Sequence, residues 1–531
     1  MTAAPKTAEP VLIAGQWEPA SAGVKTFHSI NPTNRQPLPW SFPISTWDDC
    51  DRALTAATEA AAVLRTISRD LIGKFLLRYA DRIEAAADRL IEAAAAETGL
   101  PVKPRLADVE LPRTTNQLRQ AAEAARTGDW AMPTIDTTAG IRSCFEPLGP
   151  VCVFGPNNFP FAFNSVAGGD FAAAIAAGNP VIGKANSSHP RTSQIFAEEV
   201  LQALQDTGLP TSTVQLLYRT SHEDGAKLVS NARVGATGYT GSRHAGLVLK
   251  EAADRAGKPI YLELSSVNPV VMLPGALNSR FDDVVNEYAT SSLMGAGQFC
   301  TNPGLVLFVA GETTEKFIAK IAERFGAATP GTLLGPGVAD SLSKAVSTLH
   351  GAGAKVLCGG GQPLSDRCAM ANTLLRATAG QFLHNPEKFQ TEAFGNAALM
   401  VIADSVSQLI QVVQHLEGNL TGCIYSASDG SDDADYVPVA VAMAQRVGRL
   451  LNDKMPTGVA VSAAMNHGGP YPATGHPGFT AVGIPASLVR FGKLTCYDNV
   501  RQARLPDLLR NKNPTGSTWR RIDGRWTTGD C

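Results

Sequence analysis

Two short stretches carry residue types that could together perform covalent chemistry. Gly295-Ala-Gly-Gln-Phe-Cys300-Thr-Asn-Pro-Gly304 sets a cysteine in a glycine-lined loop, and Ile260-Tyr-Leu-Glu263-Leu sets a carboxylate in an apolar run that reads as a buried strand. A thiol nucleophile forms an acyl-enzyme, and a carboxylate that activates water completes a hydrolytic second half. A lone cysteine is more often a small buried hydrophobe, and a lone buried carboxylate is as often an ion-pair partner. The flanking glycines favour the reactive reading of Cys300. The apolar neighbours Tyr261, Leu262 and Leu264 give Glu263 the setting in which carboxylates act as bases.

The composition bounds what surrounds these residues. At 531 residues the chain exceeds what one hydrophobic core supports, so two or three domains are expected. An apolar fraction of 44% with 18% charged residues fits a globular protein. The net charge of −2 gives no electrostatic case for nucleic acid or an anionic membrane as partner. The N-terminal residues lack a basic segment followed by an apolar one, and no apolar run is long enough to span a bilayer. The cysteines include no C-x-x-C pair, which argues against a metal site and against a disulfide framework. The expected location is cytoplasmic, with no metal.

Residues 1–50 read as irregular structure with edge strands. From residue 47 to about 98 the pattern is helical and Ala-rich, and it continues to about 127. From 150 to 265 strands and helices alternate, the signature of a parallel sheet wound on both faces. Gly155-Pro-Asn-Asn, Lys184-Ala-Asn-Ser and Gly241-Ser-Arg all follow strands in that run, where open sheets of this type bind ligands. A second α/β segment covers 268 to about 451. The tail after about 505 is polar and basic and is expected to pack on a neighbouring surface.

Six pieces in order resemble the aldehyde dehydrogenase superfamily over about residues 10–500: Gly155-Pro-Asn-Asn158-Phe-Pro160, Lys184, Thr240-Gly241-Ser242 with Gly246, Leu262-Glu263-Leu264, Gly297-Gln-Phe-Cys300 and Glu392-Ala-Phe394-Gly395. Leu264-Ser265-Ser266-Val-Asn268-Pro269, Cys300-Thr-Asn-Pro303 and His467-Gly-Gly-Pro-Tyr-Pro-Ala-Thr474 are similar to the NADP-using branch that includes α-ketoglutaric semialdehyde (2,5-dioxopentanoate) dehydrogenases and some fatty aldehyde dehydrogenases. The segment Thr474-Gly-His-Pro-Gly-Phe479 departs from that branch's pattern. The resemblance implies an α/β chain in three parts: a Rossmann-type cofactor domain (1–129 and 148–265), a catalytic domain (266–485), and a small bridging sheet for oligomerisation (130–147 and 486–500), followed by the tail 501–531.

The resemblance also implies roles. Cys300 is the nucleophile, passing through a thiohemiacetal and a thioester, and Glu263 activates the hydrolytic water. Asn158 with the Cys300 backbone N–H stabilises the oxyanion. Lys184 would bind the adenosine ribose, while Gly241, Ser242 and Gly246 approach the pyrophosphate at a helix N-terminus. Glu392 would hold the nicotinamide ribose, and Phe394 would pack behind its ring. Ser187 stands where NAD-preferring relatives often carry glutamate, so NADP is expected to be preferred, with NAD possible. His189, close by, reads as a helix-entry residue before Pro190 or as a phosphate contact. Arg113 is the candidate anchor for a distal substrate carboxylate and His467 a candidate at the tunnel mouth. Each polar residue has a bland alternative as a turn, surface or helix residue.

The expected function is NAD(P)-dependent oxidation of an aldehyde, such as a carboxylated semialdehyde, by a homodimer or homotetramer. Fatty aldehyde oxidation, an acylating reductase and a catalytically silent binding protein are the rivals. Glu263 argues against the acylating reductase, and intact Cys300, Asn158 and Glu263 argue against silence.

Overall fold

The alternation of short apolar strands and helices after Pro150 builds a parallel sheet. In the computed structural model, which describes residues 8–19, 23–360 and 363–531, this sheet has seven strands. Their order is Ile260–Glu263, Ala236–Thr240, Val151–Phe154, Val181–Lys184, Val214–Leu217, Val11–Ile13 and Gln16–Glu18. The first five run parallel, and the two N-terminal strands close one edge antiparallel. The chain enters the parallel part at Val151–Phe154, winds outward to Val214–Leu217, then crosses back to Ala236–Thr240 on the other side. The switch point lies between Val151–Phe154 and Ala236–Thr240, and the loops leaving those strand ends open a crevice there. Those loops are Gly155-Pro156-Asn157-Asn158 and Gly241-Ser242.

Every residue of Val151–Phe154 is buried, as a strand covered on both faces requires. The helical stretch read from 47 to 98 is three helices, Trp47–Leu64, Arg69–Ala85 and Ala87–Thr98. Thr46 caps the first and Ser68 the second, each hydroxyl accepting a first-turn N–H, while the third starts at Ala87 without a side-chain cap. Helices Arg69–Ala85 and Leu111–Thr127 pack on each other, and the buried Tyr79 hydroxyl donates to the Val166 carbonyl at 2.9 Å.

A second seven-stranded sheet follows in the order Lys355–Cys358, Thr373–Thr378, Ala397–Ala403, Leu305–Val309, Val270–Met272, Asn419–Tyr425 and Val447–Asn452, parallel except for the first strand. A third sheet pairs Gly492–Asp498 with Ile141–Pro147, then Thr134–Asp136, Arg520–Ile522 and Arg525–Thr527. The C-terminal tail thus extends this sheet by two strands. It is anchored by the buried Arg520, whose guanidinium donates to the carbonyls of Arg510, Asn511 and Gly529. Among the described residues no helix is long and apolar enough to cross a membrane.

Candidate active site

The segment before Cys300 is bent by three consecutive positive φ angles, at Gly295, Ala296 and Gly297. At Gly297 a Cβ would lie 2.1 Å from the Gly395 carbonyl oxygen, so any side chain there would push the Glu392–Gly395 segment away from the cysteine. Asn268, itself at φ 47°, pins the other side of the loop: its Nδ2 donates to the carbonyls of Cys300 and Asn302 at 2.9 Å each. Its Oδ1 accepts from the Ser266 and Thr421 hydroxyls, also at 2.9 Å.

Cys300 Sγ lies 3.4 Å from Nε2 of His467, and that same nitrogen lies 2.9 Å from Oε1 of Glu263. His467 and Glu263 are both buried, while Cys300 is half-buried at the edge of a cavity. One ring nitrogen thus faces a sulfur and a carboxylate together. Burial alone would push the His467 pKa down, but Glu263 and Cys300 outweigh it and hold the ring up at about 10. The ring thus stands as a donor beside the sulfur that would act as nucleophile. The second oxygen of Glu263, Oε2, is buried and has no partner among the described residues. Strand Ile260–Glu263 is braced from outside by 473–475: Leu264 N donates to Ala473 O at 2.8 Å and Gly475 N to Leu262 O at 3.1 Å. The segment that departs from the branch pattern therefore supports the carboxylate directly. His467, expected at the tunnel mouth, sits instead between nucleophile and carboxylate.

Asn158 reaches the same site from the switch-point crevice. One of its amide N–H groups is held by the Gln298 carbonyl at 3.1 Å, which leaves the second free. The Cys300 backbone N–H has no acceptor among the described residues. Asn158 and Cys300 line the same cavity, so both bring a donor with spare capacity to the site, as an oxyanion needs. Behind them lies a buried pair that sequence reasoning missed. Glu110 pairs with Arg105 and accepts the Phe161 and Ala162 N–H groups at 2.8 and 3.0 Å, while Arg105 donates to the Asn158 carbonyl at 2.8 Å. Removing one partner of such a pair costs about 3–5 kcal/mol, so this pair fixes the Asn158 loop.

Two adjoining cavities open at the switch point. One, of about 280 Å³, is lined by Asn158, Glu263, Cys300, Gly241, Ser242, Glu392 and Phe394. The other, of about 450 Å³, is lined by Lys184, Ser187, Gly241, Ser242 and Arg219. Both fall within or near the range of small-molecule clefts. Lys184 makes no hydrogen bond or ion pair among the described residues, and burial, with Arg219 nearby, pushes its pKa down to about 8. Helix Arg243–Arg255 starts at the wall of this cavity with Ser242 as its cap. Its N-terminus offers the positive end that an anionic diphosphate fits. An unpaired amine on a half-buried lysine, a helix N-terminus and a second carboxylate, Glu392, fit a dinucleotide. Gly246 lines neither cavity. A Cβ there would meet Leu264 Cδ2 at 2.5 Å, so this glycine lets the helix pack against the strand ends. His189 is buried, pushed down to about 4 by burial, and hydrogen-bonds the Pro156 carbonyl at 2.9 Å. It ties two loops together and is not a cationic phosphate ligand.

Glu392 is pushed up to about 7 by burial, against the lowering effect of the Ser265 hydroxyl and the Ser266 N–H. A carboxylate accepts from ribose hydroxyls more strongly when ionised than when protonated. Below about pH 7, KM for the cofactor is therefore expected to rise with falling pH by up to about tenfold per unit. Glu392→Gln should raise KM at neutral pH and flatten this dependence. A wild-type KM flat from pH 6 to 8 would remove Glu392 from cofactor binding.

On the other side of Cys300 an apolar wall is formed by Phe159, Phe163, Phe299, Phe479 and Val482. Arg113 stacks its guanidinium 5.5 and 5.3 Å from the ring centres of Phe159 and Phe163, and Phe163 lies 6.0 Å from the His467 ring. Nε of Arg113 donates to Gln117 at 3.1 Å, one terminal nitrogen is buried without a partner, and burial lowers its pKa. Arg113 therefore offers an unpartnered guanidinium nitrogen behind aromatic rings, without the carboxylate partner that the neighbouring Arg105 has in Glu110. Arg449, also unforeseen, donates to the Pro456 carbonyl at 2.7 Å and braces the segment leading to His467.

Known proteins share this architecture. The sequence model described as "Aldehyde dehydrogenase family" matches residues 17–450. Alpha-ketoglutaric semialdehyde dehydrogenase 2 of Azospirillum brasilense is 37% identical over 520 residues, covering 95% of this chain and 97% of that protein. Alpha-ketoglutaric semialdehyde dehydrogenase of Acinetobacter baylyi is 36% identical over 506 residues, covering 93% and 94%. Among solved structures, betaine aldehyde dehydrogenase from Staphylococcus aureus in complex with NAD+ superposes with a TM-score of 0.79 at 20% identity, covering 93% of this chain and 97% of that one. Gamma-glutamyl-gamma-aminobutyraldehyde dehydrogenase from Burkholderia cenocepacia superposes with a TM-score of 0.79 at 19% identity, covering 93% and 98%. These structural likenesses speak to the fold.

Proposed function

The chain belongs to the aldehyde dehydrogenase family, and on that premise we propose that it oxidises a carboxylated semialdehyde, of the α-ketoglutaric semialdehyde class, to the acid through a thioester on Cys300. The observation that carries this reading is the Cys300–His467–Glu263 contact chain beside a free oxyanion donor.

The His467 imidazolium stabilises the Cys300 thiolate, which attacks the aldehyde carbonyl and forms a carbon–sulfur bond. Asn158 Nδ2 and the Cys300 N–H receive the oxyanion. A nicotinamide dinucleotide, when bound, supplies the acceptor for the hydride; Lys184, Ser242, Glu392 and Phe394 would hold it. The apolar wall excludes bulk water while the thiohemiacetal persists. Glu263 Oε2, buried and unpartnered, then takes a proton from the water that cleaves the thioester, and Cys300 leaves as the thiolate paired with His467.

The semialdehyde reading is supported by Arg113, whose unpartnered nitrogen suits a distal carboxylate, and by the two relatives named above. The apolar wall alone would also suit a fatty aldehyde. Initial rates with succinic and α-ketoglutaric semialdehydes against hexanal, decanal and benzaldehyde separate the two. High kcat/KM confined to the carboxylated aldehydes, lost by roughly 30-fold or more in Arg113→Met, is expected. Preference rising with alkyl length and untouched by that change would make it a fatty aldehyde enzyme.

NADP preference is supported by Ser187 and by Arg219, which line the same cavity with no carboxylate among its lining residues. Ser187→Glu sets a negative charge against a 2′-phosphate and should weaken NADP on the order of 10–100-fold while sparing NAD. Equal effects on both cofactors would place the 2′-phosphate elsewhere. The three-part division, with 130–147 and 486–500 as an oligomerising bridge in a homodimer or homotetramer, is supported by the edge strand Gly492–Asp498 and its exposed Leu494.

A further inference from the structure

The residues that could hold a metal are far apart in sequence and meet only in the fold. Among the described residues one group of at least three such side chains has its ligand atoms within 4.8 Å of one another: Cys300, His467 and Glu263. Their atoms are a thiol sulfur, an imidazole nitrogen and a carboxylate oxygen, the donor types that Zn²⁺ takes. With Zn–N and Zn–O bonds near 2.0 Å and Zn–S near 2.3 Å, the ligand–ligand edges of a tetrahedral site are about 3.3–3.6 Å. Sγ to Nε2 is 3.4 Å, inside that range, Nε2 to Oε1 is 2.9 Å and must open by a few tenths of an ångström, and the sulfur-to-carboxylate edge, within 4.8 Å, must close toward that range as the metal enters.

The position of the shared proton is informative. Nε2 faces both Sγ and Oε1, so the same direction in space carries the proton in one state and is free to carry a cation in another. The second oxygen of Glu263 is buried and has no partner among the described residues, which leaves the carboxylate with an unsatisfied acceptor. The three protein ligands leave a fourth position toward the 280 Å³ cavity, which Cys300 and Glu263 line, with room for a water on a bound metal.

We propose that Cys300, His467 and Glu263 form a reversible inhibitory site for a borderline-soft divalent cation such as Zn²⁺. Binding replaces the proton on Nε2, which passes to solvent, while Nδ1 keeps its own. The sulfur lone pair that would attack the aldehyde is then engaged by the metal, and the carboxylate that would activate water is immobilised. Turnover stops without any covalent change, and chelation restores it. Aldehyde bound at Sγ and metal exclude one another. The proposal goes beyond the proposed reaction and does not depend on which aldehyde is oxidised.

The test uses the full-length, chelator-treated protein and Co²⁺ as a spectroscopic stand-in. One equivalent of Co²⁺ should produce a thiolate-to-metal charge-transfer band with the visible bands of a tetrahedral site. Zn²⁺ should bleach both at one equivalent, abolish activity, and release it again on adding EDTA. Cys300→Ala should lose the charge-transfer band, and His467→Gln and Glu263→Gln should each weaken Zn²⁺ binding by roughly tenfold or more. Alkylating Cys300 in the folded wild-type protein should abolish the band as well, which keeps the test independent of any variant's folding. A band that survives in Cys300→Ala would put the metal on another of the nine cysteines and overturn the proposal. Zn²⁺ affinity unchanged in both His467→Gln and Glu263→Gln would reduce it to metallation of one thiol, and would overturn it equally.

Discussion

Cys300→Ala is expected to abolish aldehyde oxidation, with kcat falling on the order of 10⁴-fold or more, while the dinucleotide still binds. The magnitude follows from what is removed. The sulfur is the atom that bonds to the substrate carbon, and the rest of the machinery acts only on the adduct it forms. Loss of a nucleophile in a unit of this kind costs nearly as much as loss of the whole unit. Lys184, Ser187 and Arg219, proposed to hold the adenosine end, line an adjoining cavity of about 450 Å³ that does not include Cys300, so the affinity for NADP should change little. Stopped-flow binding of NADPH and steady-state rates on the same preparation check both halves. Turnover retained within tenfold of wild type would mean that another group attacks the aldehyde.

Glu263→Gln should have the second largest effect, and of a different kind. The substitution keeps the shape and leaves His467 with a hydrogen-bond partner, but removes the base and the negative charge on the imidazole. Acylation should proceed once per site, giving a burst of reduced cofactor, and the steady state should then fall by about 10²–10⁴-fold. The charge change has a further consequence. With Glu263 neutral, one of the two groups that hold His467 up at about 10 is gone, so the imidazolium should lose its proton at lower pH. The burst rate, flat across the neutral range in the wild type, should then decline on the alkaline side in the variant. A steady-state rate equal to wild type with no burst would assign water activation to another residue.

How far the site could be read from sequence depended on how local its signals were. Cys300 and Glu263 stand out because glycines flank one and apolar residues flank the other within a few positions. The doubly wound sheet was equally legible, since strand and helix patterns alternate within 150–265 and the phosphate-side loops follow strand ends. What could not be read were partnerships made across the fold. His467 meets Glu263 across 204 positions of sequence, from a Gly- and Pro-rich segment with no regular pattern to aim it. Arg105 and Glu110 look like the solvated face of a helical stretch until Glu110 is found capping the Phe161 and Ala162 N–H groups. Gly246 reads from sequence as a ligand-approach residue in a phosphate-side motif, and the fold adds a packing reason for it that sequence does not carry, contact with Leu264 and Tyr239. The tail read as surface packing, and strand pairing of Arg521 with Thr134 and Ile522 with Ile135 was invisible because its three-residue strands carry no period.

The central claim is that aldehyde carbon becomes a thioester on Cys300 and that Glu263 is needed to remove it. Mass analysis of the Glu263→Gln protein, quenched in acid after incubation with α-ketoglutaric semialdehyde and NADP, tests this most directly. A single adduct on the peptide carrying Cys300, weighing two hydrogens less than the simple aldehyde addition product and absent when NADP is omitted, is the result predicted. An unmodified Cys300 in a protein that has produced a burst of NADPH, or an adduct of the same mass on another residue, would contradict it.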